Sequence, residues 1–99
     1  MTDVPPRAGG PEQPVVMYTT TICWYCRKAK ALLERKGIAF KEVNLEDEEP
    51  ERRDWVVQQS GRRTVPQIFI GELSIGGFDE LKALDDSGEL DALLADPGH

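Results

Sequence analysis

Short apolar runs, separated by charged stretches and by glycine or proline, set the rhythm of the chain. After Pro14 comes "VVMYT", β-branched and aromatic, which predicts a buried strand over 15–19. From Cys23 to Lys36 there is no Gly or Pro. Cys26, Ala29, Leu32, Leu33 and Lys36 recur at helical spacing, and Gly37 stands where a C′ glycine ends a helix. "IAFKEVNL" alternates Ile38, Phe40, Val43 and Leu45 imperfectly with polar residues, as a second strand would. "EDEEPERRDWVVQQSG" then offers acids for a first turn, Pro50 near N1, an apolar Trp55-Val56 patch and a closing Gly61, which predicts a second helix.

"PQIFI" and "LSI" read as two short strands joined by Gly71-Glu72, a separation that suits a tight hairpin. "GGFDELKALDDSGELDALLA" carries Phe78, Leu81 and Leu84, breaks at Ser87-Gly88, and resumes with Leu90, Leu93 and Leu94. One helix, a turn and a short terminal helix follow. The order βαβαββα plus that last helix predicts an α/β protein with a thioredoxin-like fold: a four-stranded mixed sheet flanked by helices. The strand–helix alternation requires a βαβ unit with parallel strands.

Ninety-nine residues, 39% hydrophobic, suffice for one small core and are too few for two domains. The expected division is a flexible lead-in over 1–14, a domain over 15–95 and a tail over 96–99. A net charge of -6 and a pI near 4.7 argue against general binding to nucleic acid or to an anionic membrane, both of which need a basic face. The apolar runs are far shorter than the ~20 residues of a transmembrane helix. The opening "MTDVPPRAGGPEQP" lacks the apolar stretch of a signal peptide and, with one Arg, no Ser and two acids, the composition of a transit peptide. A cytoplasmic protein is expected.

Two cysteines spaced CxxC are too few for a secreted disulfide scaffold, so in a reducing compartment the pair should bind metal or react. Zinc wants four ligands, and beyond the cysteines only His99 is a plausible soft one. Plain burial suits Cys26 better than Cys23, which opens a helix among cations. A reactive pair explains more. The thiolate is the nucleophile, and at a helix mouth it meets unpaired N–H groups and the positive end of the macrodipole. Arg27, Lys28 and Lys30 add cations within two turns, and Cys26 can donate a hydrogen bond to the Cys23 thiolate. Lowering a thiol pKa from ~8.5 to ~5 raises the thiolate fraction at pH 7 about thirty-fold, while a Brønsted slope of ~0.4 to 0.5 removes roughly as much nucleophilicity. The net gain is a better leaving group.

With "CWYC" at 23–26, "TVP" at 64–66 and "GGFDEL" at 76–81, the chain resembles a glutaredoxin from about Val15 to Leu94. "RKAKALLERKG" and "GRRTVPQIFIG" are most similar to the small bacterial dithiol members. The resemblance implies a cis bond between Val65 and Pro66, which turns the Val65 backbone toward the site to pair with an extended peptide such as glutathione. Without it, Pro66 reads as the start of an edge strand. Gly76-Gly77 and Asp79 suggest close backbone approach and a helix N-terminus able to hold a carboxylate, or simply a turn with a cap. The resemblance assigns the Phe78 backbone to the γ-glutamyl carboxylate, Asp79 to its ammonium and Tyr25 to a wall of the site, with Thr64, Val65, Pro66 and Gly77 also among the residues that bind glutathione.

Two positions depart from the family pattern. Thr20 stands where a lysine is usual, three residues before the first cysteine, so Arg53 or its neighbour Arg52 is expected to supply the missing cation. Trp24 replaces the usual proline and adds an aromatic face near the sulfur. Trp55, Phe40 and Phe69 read as core, and the acids from Glu42 to Asp54 as a solvated face.

The resulting expectation is an enzyme: a glutathione-dependent thiol–disulfide oxidoreductase with Cys23 as nucleophile and Cys26 as resolving thiol. It would act as a monomer on glutathionylated or disulfide-containing client proteins. Two alternatives are a dimer holding a [2Fe-2S] cluster between two Cys23 thiolates and two glutathiones, and a redoxin recharged by thioredoxin reductase.

Overall fold

The computed structural model describes residues 14–95; the expected lead-in, apart from Pro14, and the tail with His99 lie outside the described residues. Nine elements follow one another: β1 (Val15–Thr19), α1 (Trp24–Arg35), β2 (Lys41–Asn44), a 3-10 turn (Leu45–Asp47), α2 (Pro50–Ser60), β3 (Gln67–Ile70), β4 (Leu73–Gly76), α3 (Phe78–Ser87) and α4 (Glu89–Ala95). The sheet order is β2-β1-β3-β4. β1 runs parallel to β2 and antiparallel to β3, and β3 forms the antiparallel hairpin with β4.

Both faces of the sheet are covered, which is why the central strands "VVMYT" and "QIFI" are apolar without clean alternation. On one face Val15, Met17, Ile68 and Ile70 meet Ala29, Leu32 and Leu33 of α1, Leu81 of α3, and Leu90 and Leu94 of α4. On the other, Tyr18 and Phe69 pack with Leu45 and Val56. The register explains the alternation: successive strand residues point to opposite faces, so Met17 and Tyr18 enter different cores.

β2 is shorter than the run at 38–45 predicts. Pairing begins at Val16 with Lys41, so Ile38 and Ala39 would lie opposite chain that precedes β1. Ile38 and Phe40 instead pack on the core from outside the ladder. Trp55 is also less buried than expected, at 38% exposure. α2 and the 3-10 turn cover this face of the sheet, and the indole is stacked on Phe69 at 5.7 Å with the Arg52 guanidinium 5.4 Å from its ring. No described helix is long and apolar enough to cross a membrane.

Candidate active site

The chain leaves β1 through Thr20–Ile22 and enters α1 at Cys23, whose extended backbone makes it the N-cap. A cap side chain normally accepts an orphan amide of the first turn. Here sulfur does so: the Cys26 N–H donates to Cys23 Sγ at 3.1 Å. Cys23 and Cys26 are joined as a disulfide, with Cα atoms 5.2 Å apart. Their exposures differ. Cys23 is half-buried at the surface, whereas Cys26 is 2% exposed beneath it and packs with the α1 face that carries Ala29, Leu32 and Leu33.

The cations are not all free to act on the sulfur. Lys30 pairs with Glu42 of β2 at 3.1 Å, so its charge is engaged away from Cys23. Arg27 lies 5.0 Å from the centroid of Trp24, and Lys28 lies 5.3 Å from Tyr25 and 5.8 Å from Phe78. The helix terminus and the Cys26 amide are therefore the close supports of negative sulfur.

Opposite the cysteines, the Val65–Pro66 peptide bond is cis, and the Val65 carbonyl oxygen lies 3.7 Å from Cys23 Sγ. Gln67 is buried behind this segment. Its Nε2 donates to the Thr64 carbonyl at 2.9 Å and reaches the Thr64 hydroxyl at 3.3 Å, tying the turn to β3. Beside it, Gly77 caps α3, and its N–H donates to Glu80 Oε1 at 2.8 Å. Gly77 thus spends its own donor within the chain. Its contribution is closeness: a Cβ there would stand 3.2 Å from the Pro66 carbonyl oxygen. Helix geometry leaves the Phe78 and Asp79 amides without intrahelical partners.

These segments bound a cleft of about 210 Å³ that brings together Tyr25, Thr64, Val65, Pro66, Gly77, Phe78 and Asp79. The tilted rings of Tyr25 and Phe78, 6.4 Å apart, line one side. Arg53 does not line it; that side chain is exposed on α2. Arg62 and Glu80, which the sequence reading left out, do line it and form an ion pair at 3.2 Å. Glu80 had a legible signal, since glutamate three residues after a cap residue completes half of a capping box. Arg62 had none, because nothing local places it against α3. The Glu80 carboxyl is held below the ordinary glutamate range, chiefly by the Gly77 N–H, with Arg62 adding to the effect and partial burial opposing it.

A surface sulfur at a helix terminus, a buried second sulfur and an adjoining cleft with backbone donors can carry out disulfide exchange. The glutaredoxin family model matches residues 15–75. A Pseudomonas aeruginosa glutaredoxin is 52% identical over 82 residues, covering 83% of this chain and 96% of the relative. The solution structure of a Brucella melitensis glutaredoxin superposes with a TM-score of 0.76 at 49% identity, over 87% of this chain and 92% of that one. A buckwheat glutaredoxin in complex with glutathione gives the same TM-score at 32% identity, covering 83% and 76%. With its CxxC pair set at a helix mouth, the chain belongs to the glutaredoxin family of thiol–disulfide oxidoreductases.

Proposed function

We propose that this member uses glutathione as its reductant and reduces protein–glutathione mixed disulfides and protein disulfides in a reducing cytoplasm. The observation that carries the reading is the asymmetry of the two sulfurs beside one cleft: Cys23 is reachable and capped by the Cys26 amide, while Cys26 is buried. The buckwheat relative in complex with glutathione supports the choice of reductant.

In this account the Cys23 thiolate attacks the glutathione sulfur of a client mixed disulfide, and the client leaves as a thiolate that takes a proton from water. A second glutathione thiolate attacks the glutathione sulfur now bound to Cys23, giving oxidised glutathione and regenerating Cys23. With a protein disulfide, Cys23 first bonds to one client sulfur. Cys26 then attacks Cys23 Sγ, releases the reduced client and leaves the Cys23–Cys26 disulfide, which two glutathiones reduce. Burial restricts Cys26 to this internal step.

Glutathione would lie along the cleft. Its backbone pairs with Val65 beside Pro66, and its γ-glutamyl carboxylate meets the Phe78 amide, drawn close by Gly77. Asp79 faces the ammonium, and Thr64 and Tyr25 form the walls. Arg53 acts on the glycyl carboxylate from outside the cleft, as a longer-range cation. Trapping tests the reading: Cys26→Ser protein treated with oxidised glutathione should carry one glutathione on the peptide containing Cys23. Absence of that adduct would contradict it.

A further inference from the structure

Two large apolar side chains flank Cys23 in the sequence without entering the cleft lining. Ile22 is 83% exposed and Trp24 72%, and neither lines the cleft with Val65 and Phe78. A solvent-facing indole beside a reacting sulfur costs solvation without stabilising the fold, since Trp24 contributes to neither core. It is held in place from the surface: the Arg27 guanidinium, one turn along α1, lies 5.0 Å from its ring. Among the described residues Arg27 makes no ion pair, whereas Lys30 and Arg62 do. Next to Ile22 in the sequence, the Thr21 hydroxyl donates to Glu46 at 2.7 Å, which holds an acid at that residue. The segment thus carries two exposed apolar side chains, a cation at Arg27 against Trp24 and, through Thr21, an acid at Glu46.

We propose that Ile22, Trp24 and Arg27 form the docking surface for the protein half of a client disulfide. The favoured client is an extended segment carrying an apolar side chain and a carboxylate within a few residues of its cysteine. This rests on the glutathione-dependent reading and deepens it: glutathione occupies the cleft on the Tyr25 side of Cys23, and the client chain lies across Trp24 on the other. Charge complementarity selects the occupant. The whole chain, at -6, would favour basic peptides. At physiological salt, however, charges are screened beyond ~8 Å, so a carboxylate close to Arg27 responds to that guanidinium more than to the distant acids. The apolar residue covers the indole face, and the rim charge sets preference and on-rate.

The test compares two glutathionylated peptides, each with a leucine beside the modified cysteine and differing only in Glu or Lys two residues away, with glutathione as reductant. The native protein should favour the Glu peptide by about fivefold in kcat/KM at physiological salt, with the preference shrinking as salt rises further. Arg27→Glu should reverse that order. The ratio is the informative readout, because any effect of Arg27 on the Cys23 thiolate acts equally on both peptides. Trp24→Ala should lower kcat/KM for the Glu peptide relative to a version with glycine in place of leucine. Equal rates in the native protein, a Lys preference, or a Glu preference that survives Arg27→Glu would overturn the docking surface while leaving glutathione-dependent turnover in place. Failure to turn over either peptide would overturn the functional reading and the docking surface with it.

Discussion

The backbone N–H of Cys26 donates to the sulfur of Cys23 across a single helical turn, at 3.1 Å. The amide that an ordinary N-cap oxygen would satisfy is thereby spent on the reacting atom, and stabilising the thiolate becomes part of capping the helix. The two cysteines are consequently not equivalent. Cys23→Ser should reduce turnover of glutathionylated peptides to the uncatalysed rate, since Cys26 is too buried to replace it. Cys26→Ser should keep that activity within a few-fold and lose the dithiol reduction of protein disulfides. Steady-state rates with both substrate types check the split; equal losses in the two variants would contradict it.

Glu80 links the cap of α3 to Arg62, and its titration sets a pH dependence. Its folded-state pKa lies below the ordinary 4.5, so its contribution to stability is complete above that value and is lost as pH falls through the lower folded value. Glu80→Ala should cost about 0.5 to 1 kcal/mol at pH 7, a modest figure for a partly exposed cap. The gap from the native protein should narrow below pH 4.5. Urea denaturation across that range measures it; a gap independent of pH would contradict the assignment.

Gly76 precedes the cap with φ at 107°, in the region that disfavours side chains. A Cβ there would stand 2.8 Å from Arg62 Nη1 and 2.9 Å from Glu80 Cγ. The backbone strain alone makes Gly76→Ala destabilising by about 1 to 3 kcal/mol. Displacement of the Arg62–Glu80 pair should also raise KM for glutathione, as glutathione titrations of the folded variant would show. An unchanged KM would mean that the pair does not shape the cleft.

Much of the architecture was legible because strong local signals agreed with it. Pro50 at N1, Gly61 and Gly88 in left-handed C-cap positions and Gly71 in the hairpin bound their elements where turn chemistry puts them. The start of β2 was not legible, since strand length depends on how far the partner extends. The CxxC at the mouth of α1 was readable from spacing alone. Arg62, Gln67 and the engagement of Lys30 with Glu42 were not, because each depends on contacts between elements distant in sequence.

Thr20, the departure at the position usually held by lysine, is half-buried and among the described residues makes only a long hydroxyl contact to the Ile22 carbonyl at 3.5 Å. Little is lost by replacing it. Thr20→Lys should restore a cation near Cys23 and lower KM for glutathione about two- to fivefold, in line with one exposed ion pair. Glutathione-dependent kinetics at low and high salt check this; the gain should shrink as salt rises.

In the proposed cycle glutathione alone sustains catalysis at Cys23. Its most direct test is the rate at which the reduced protein removes glutathione from a defined peptide with glutathione as the only reductant. Turnover should run well above the uncatalysed rate and be abolished by Cys23→Ser. Negligible turnover by folded, reduced protein would contradict it.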